Sequence, residues 1–376
     1  MDAKERFHAV MNYEKPDRLP LMEFMGFWPE TLERWHQEGL PQKAAPAASY
    51  IGSERRETGK EEVVDLREFF GFDRCESLPV DFNFVPAFER KILEEDEETR
   101  VVRDEMGVVK KEFKTGSAMP HYMEFPIKSR QDFLALKERL DPESPERYPA
   151  NWPDIVAHYK KRDFPVYVVC RGPFAFGRDF VEFSRLMMAY AAEPEWIREM
   201  VDFHTDFVIK FWDRALSDLD VDFIYLGEDM AYKNGPMVSP AMVREFLLPS
   251  WRRMVNAFSE YGVKHVIIDS DGDVRPLIPI FLEAGVTGTL PLECAAGCDP
   301  VAIREEHPGI QMIGGLNKME IARGGEVMER EVRSKVGKLA AIGGYIPSFD
   351  HSVHPLTSFQ VYQDYLNVLK EEIGKV

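Results

Sequence analysis

Short apolar runs alternate with amphipathic helical segments over most of the 376 residues. Eight such runs can be counted, and none is followed by the GxGxxG turn of a dinucleotide-binding sheet. Short buried strands with helices between them imply a parallel sheet. Eight units in one chain imply an α/β protein of the (β/α)8 type, a TIM barrel, in place of a doubly wound sheet. We therefore expect residues 1–376 to form one barrel domain.

The elements follow in order. Residues 2–13 have the pattern of a short amphipathic helix, which Pro16-Asp17-Arg18 ends. LPLMEF (19–24) predicts the first buried strand. Residues 27–75 are helical in pieces, separated by the small-residue run PQKAAPAAS (41–49). ESLPV (76–80) is a weaker second strand. Within 76–126, TRVVRDEMGVVKKEFKT holds two alternating runs joined by Asp104-Glu105-Met106-Gly107, a β-hairpin signal. We expect this stretch to be an antiparallel β insertion in the barrel, not a second domain.

From residue 129 the rhythm is regular. SRQDFLALKERL starts on Ser129 with helical spacing, and PVYVVC (165–170) is a strand. A long helical region runs over 177–218. DFIYL (222–226) precedes a helix over 239–262, with Ser239 as cap and Pro240 in its first turn. HVIID (265–269), TGTLP (287–291), QMIGG (311–315) and GYIPS (344–348) are the remaining strands. Helical patterns follow them at 274–285, 299–307, 319–341 and 358–373.

Composition limits the function. Lys and Arg total 47 against 65 Asp and Glu, a net charge of −18. That balance argues against a nucleic-acid binder and against adhesion to an anionic membrane. Four cysteines are too few for a disulfide scaffold in this length. The first residues hold no apolar signal core, and no stretch approaches the ~20 apolar residues of a membrane span. A soluble, cytoplasmic protein is expected.

Polar residues cluster just after the apolar runs, at the C-terminal face where barrel enzymes place their sites. They are Glu23; Asp81 and Asn83; Arg171; Glu228 and Asp229; Asp269 and Asp271; Glu293 and Cys294; Asn317 and Lys318; Asp350 and His351. Crowded carboxylates repel one another. Either some are protonated, or a cation or the side chains of Arg171, Arg178, Lys233 and Lys318 compensate them. Asp269 and Asp271, at i and i+2 on a strand, share a face. With Glu293 and His351 they form a set suited to zinc or a harder divalent ion. Equally, the two aspartates could cap the next helix. Cys294 is either a thiolate ligand or, with Cys298, a small buried side chain.

Glu228 and Asp229 suit a general base with its orienting group, further metal ligands, or a salt bridge to Lys233. His351 and His354 are two loop histidines, of which His354 is expected to pack. The aromatics Phe24, Phe27, Trp28, Phe82, Phe84, Phe174, Phe176 and Tyr232 either line a flat apolar pocket or pack the barrel.

Six stretches carry a resemblance. They are KPDRLP (15–20), RGPFAFGRDFVEFSRLMMAY (171–190), GEDMAYKNGPMVSP (227–240), VIIDSDGDVRPLIPIFLEAGVTGTLPLE (266–293), MIGGLNK (312–318) and GGYIPSFDHSVHP (343–355). Over nearly its full length the chain resembles the uroporphyrinogen decarboxylase superfamily, which implies a (β/α)8 barrel. True decarboxylases of that family bind the porphyrinogen carboxylates with an arginine-rich segment after the first strand. Here that segment reads MEFMGFWPETLERW, so uroporphyrinogen decarboxylation is not expected.

The other branch of the superfamily transfers methyl groups to or from corrinoid proteins. Several of its members hold zinc with a His-x-Cys pair, a later acid and a final Cys. Asp269-x-Asp271 stands at the His-x-Cys position, Glu293 at the later acid, and His351 near the final Cys. GEDMAYKNGP and DSDGD look most like the O-demethylase methyltransferases. The resemblance implies methyl transfer from a methoxylated, aromatic or other methylated small molecule to a separate corrinoid (cobalamin) protein, with metal assistance. The candidate metal set is Asp269, Asp271, Glu293 and His351, with zinc or another divalent ion. Glu228, Asp229, Lys233 and His351 are the catalytic candidates. Phe24, Trp28, Asn83, Arg171, Tyr232 and Lys318 are the substrate-binding candidates.

Homo-oligomerisation is left open. The alternative is a metal-independent decarboxylase or lyase that binds a small carboxylate through Arg171 and Lys233. A third reading is a non-catalytic protein that captures a ligand or a corrinoid protein.

Overall fold

The computed structural model describes residues 1–45, 64–115 and 119–376. Part of the small-residue run at 41–49 lies outside these. The main sheet has seven strands, all parallel. They are β1 (Glu76–Ser77), β2 (Val166–Arg171), β3 (Phe223–Gly227), β4 (Val266–Asp269), β5 (Gly288–Leu290), β6 (Gln311–Ile313) and β7 (Tyr345–Ile346). Their order in the sheet follows the sequence without reversal. Such an order curls a sheet in one sense, whereas a doubly wound sheet reverses at a switch point. Helices at 152–159, 194–218, 248–260, 278–284, 300–306, 325–339 and 359–373 separate and follow the strands.

The expected first strand, LPLMEF, is a correction. Leu19, Leu21, Met22, Glu23 and Phe24 are buried, yet the segment joins no ladder. Pro20 has no N–H to give. Leu19 N–H donates to Ile373 O, and Leu21 N–H to the Asp73 carboxylate. Phe349 N–H, just past β7, donates to Glu23, while Asp73 N–H, just before β1, donates to Leu21 O. The segment thus fills the seam between the last and first strands through irregular contacts.

The 76–126 stretch carries more than the expected hairpin. Lys91–Glu95, Thr99–Arg103, Val109–Phe113 and His121–Glu124 form a four-stranded antiparallel sheet in sequence order. Asp104 closes the central hairpin by accepting from Met106 N–H and Val108 N–H. The sheet enters the chain after β1 and before the helix Trp152–Tyr159. It therefore rises from the C-terminal side of the parallel strands.

Two helical regions differ from their patterns. The region 177–218 divides into Pro173–Phe180, Phe183–Ala192 and Pro194–Asp218, the last opening on a proline. The 239–262 helix begins as expected, with Ser239 accepting from Met242 N–H. It then widens to a π-turn at Val243–Leu247. Pro249 lies in the next turn and has no N–H for the carbonyl four residues back, which favours the wider turn there.

Candidate active site

The parallel register places the central pair. Tyr225 of β3 lies opposite Ile267 of β4, so Asp269, two residues on, shares its face. The Tyr225 hydroxyl donates a hydrogen bond to Asp269 Oδ2. Burial, then the neighbouring Asp271 carboxylate, pushes the Asp269 pKa up to about 7, against the pull of that hydrogen bond. Burial and the same aspartates hold the Tyr225 phenol well above its usual range, so it stays a donor. Phe24 lies beneath, with its ring 6.1 Å from Tyr225 and 5.6 Å from Tyr167.

Across the mouth, His351 Nε2 faces Asp271 Oδ2 at 3.5 Å. Ser352 N–H donates to His351 Nδ1 at 2.7 Å. That contact assigns the neutral ring's proton to Nε2, toward Asp271. Burial lowers the imidazole pKa, but the Asp271 carboxylate outweighs it and the net direction is upward. The Trp28 ring stacks beside this imidazole at 6.4 Å. His354 makes no such contact; its Nδ1 accepts from Leu356 N–H.

Basic side chains compensate much of the acidic ring. Arg178 bonds the carboxylate and carbonyl of Asp229, which sits at a left-handed φ of 40°. Burial raises the Asp229 pKa, with Arg178 opposing. Arg171 Nε pairs with Asp179 at 3.0 Å, and its guanidinium lies over Phe180. Lys318 Nζ donates to Glu293 Oε1 at 3.0 Å, while Gly272 N–H donates to Glu293 Oε2 at 3.0 Å. Gly272 holds φ 78°, and a Cβ there would lie 2.6 Å from the Ala231 backbone. Any side chain at this position would push apart the turn that brings Asp271 and Glu293 together.

Several expected residues lie elsewhere. Glu228 is fully buried; Trp251 Nε1–H donates to one carboxylate oxygen at 2.5 Å and Ala175 N–H to the other at 3.0 Å. It caps the helix Pro173–Phe180, and burial pushes its pKa up to about 7. A Cβ on Gly172 would sit 2.0 Å from Glu228 Cδ, so only glycine admits the carboxylate there. Glu228 is thus neither at the mouth nor paired with Lys233. Lys233 and Tyr232 are exposed on a small hairpin, Ala231–Tyr232 against Gly235–Pro236.

Glu23 also turns into the core, where it accepts from Phe349 N–H and the Tyr362 hydroxyl. The Asn83 carbonyl accepts from Arg147, and the residue is exposed. Among the aromatics, Phe27 packs with Trp35 and Tyr362, Phe82 with Phe211, and Phe84 with Phe180. Phe174 and Phe176 are buried. These five pack the core, and Trp28 is the one placed beside His351.

Among the described residues no three His, Cys, Asp or Glu side chains gather as a metal requires. Of the expected set, Asp271 and His351 face each other, while Asp269 meets the Tyr225 hydroxyl and Glu293 meets Lys318. Cys294 is no better placed. Burial pushes its thiol up to about 12, and Lys335 Nζ lies 3.2 Å from its sulfur. The capping alternative does not describe Asp269 and Asp271 either, whose carboxylates face Tyr225 and His351. Tyr225, Trp251 and the Lys318–Glu293 pairing were not read from sequence. The phenol inside the run DFIYL, on the same face as the strand's end, was the available signal for the first.

The sequence profile of the uroporphyrinogen decarboxylase (URO-D) family matches residues 98–371, and the chain belongs to that family. None of the curated proteins matches it. Among solved structures, a methyltransferase from Methanosarcina mazei shares the fold, with TM-score 0.63 and 14% identity over 99% of this chain and 98% of the other. A B12-independent methionine synthase from Shewanella sp., bound to selenomethionine, covers 78% of this chain and 74% of its own, with TM-score 0.39 and 14% identity. That second likeness is too slight to bear on fold or function. No helix among the described residues is long and apolar enough to cross a membrane.

Proposed function

We propose that this protein transfers a methyl group from a methylated small molecule, a methoxylated aromatic first among them, to the corrinoid of a separate protein. The observation that carries the reading is the Tyr225–Asp269 pair, which sets a carboxyl with a pKa of about 7 at a strand end. Breaking an O–CH3 bond leaves the electron pair on oxygen, and the oxygen must take a proton or be otherwise stabilised. A carboxyl that is half protonated near neutrality is suited to supply that proton. Asp269 then delivers its proton to the departing oxygen, the methyl goes to the corrinoid cobalt, and Asp269 is reprotonated from solvent. Asp271 and His351 hold the charge beside it, and Trp28 offers a flat face for an aromatic ring.

Family membership and the fold shared with the Methanosarcina mazei methyltransferase support this reading. The full (β/α)8 closure, with 19–24 as its eighth member, belongs to the same proposal. So does the antiparallel sheet at 91–124 as the neighbour of a docked corrinoid protein. The decarboxylase reading has less support, since Arg171 is committed to Asp179 and Lys233 stands apart on its hairpin.

The test is methyl transfer from methoxylated aromatics to reduced cobalamin, supplied free as the acceptor. Wild type should form methylcobalamin, and Asp269→Asn should lose about 100-fold or more, the scale of one general acid. An Asp269→Asn protein with wild-type rates would contradict the assignment.

A further inference from the structure

We propose that Lys318 is a built-in cation that compensates Glu293, one of the acids expected to hold a divalent metal, and that this chain assembles its strand-end acids without such an ion. This inference concerns the same site but does not depend on which group is transferred. The Lys318–Glu293 pair is held from both backbones. Asp350 is fully buried, and one of its oxygens accepts Lys318 N–H while the other accepts Cys294 N–H, both at 2.9 Å. One carboxylate thus ties the start of the helix Lys318–Ala322 to the residue that follows Glu293. Asn317 caps the same helix through Met319 N–H and Glu320 N–H. The ammonium and carboxylate are therefore fixed in register, unlike a surface ion pair whose two long side chains must be ordered to meet.

From there the network reaches the acids. Glu293 Oε2 accepts Gly272 N–H, next to Asp271, and Asp271 faces His351. A lysine ammonium is a compact point charge with three donors. It therefore supplies positive charge at Glu293 and occupies the oxygen a metal would need. Of the four expected donors, Asp271 and His351 face each other, while Asp269 is taken by the Tyr225 hydroxyl and Glu293 by the Lys318 ammonium and Gly272 N–H.

The experiment is zinc binding by equilibrium dialysis and by competition with a chromogenic chelator, on untagged protein. It compares wild type, Lys318→Met, Lys318→Gln and the double variant Lys318→Met/Glu293→Ala. Wild type should hold no stoichiometric zinc. Removing the ammonium frees Glu293, so Lys318→Met or Lys318→Gln should bind zinc about tenfold or more tightly than wild type, within the range of changes around metal ligands. The gain should vanish in the double variant. Circular dichroism confirms folding, and the neutral Gln variant serves if Met at this position does not fold. One equivalent of zinc in wild type would overturn the proposal. So would folded Lys318 variants that bind no more than wild type. Neither readout requires methyl transfer, so failure here and failure of the methyltransferase reading are separate results.

Discussion

At the residue scale, the site turns on how one phenol sets one carboxyl. The Tyr225 hydroxyl donates to Asp269 and so favours its charged form, while burial and Asp271 favour the neutral form. If Asp269 is the acid, activity falls as pH rises through its pKa of about 7. Tyr225→Phe removes the one hydrogen bond that lowers that pKa, so the falling limb should move to higher pH. A pH–rate profile reads this directly, and a limb that stays put or moves to lower pH would refute the role given to the phenol. The strand-end acids were legible in sequence because apolar runs end visibly at Asp269 and Glu293. Their partners were not. Tyr225 looks like one more large side chain in a buried run, and Lys318 meets Glu293 only through the fold.

At the element scale, Glu228 links three pieces of structure. Its two oxygens accept from the helix Pro173–Phe180 and from Trp251 of the helix Leu248–Glu260, while the residue itself follows β3. An amide keeps only one accepting oxygen, so Glu228→Gln must set an NH2 against one of two N–H donors. We expect a loss of about 1–3 kcal/mol, the cost of an unsatisfied buried group, read from the urea midpoint at constant m-value. An unchanged midpoint would show that the cap is not stabilising. The sequence placed Glu228 at the mouth because it follows a strand directly. What it hides is that Gly172, on the neighbouring strand's exit, leaves the space into which the carboxylate turns.

The two strands of the expected central hairpin are present at Thr99–Arg103 and Val109–Phe113, but their burial does not alternate, since Val101 and Val102 are both buried. The outer strands Lys91–Glu95 and His121–Glu124 are exposed at every residue, so no buried face marks them in the sequence.

At the scale of the whole molecule, the seam between β7 and β1 carries a titratable core group. Burial pushes the Glu23 pKa up to about 8 from an ordinary 4.5. The unfolded chain releases this proton at the lower value and the native state keeps it. Stability from this group is therefore full below pH 4.5 and declines as pH rises from 4.5 toward 8. Glu23→Gln retains an oxygen for Phe349 N–H and an NH2 that can donate to the Tyr362 oxygen. It should flatten the decline and leave the variant more stable than wild type at pH 8, measured by denaturant unfolding across pH. A variant with the wild-type slope would remove Glu23 from the account. The curled parallel sheet was legible from the rhythm of runs and helices. The irregular seam was not, because LPLMEF has a strand's apolar content while Pro20 and its side-chain partners deny it a ladder.

In the proposed reaction the methyl carbon itself moves to cobalt. This is tested most directly with a methoxylated aromatic carrying a deuterated methyl group, incubated with this protein and reduced corrinoid, followed by mass spectrometry of both products. The intact labelled methyl should appear on the corrinoid with a free phenol in equal amount, and both should be lost in Asp269→Asn. Release of carbon dioxide from a carboxylated substrate, with no label reaching the corrinoid from any methyl donor, would contradict it.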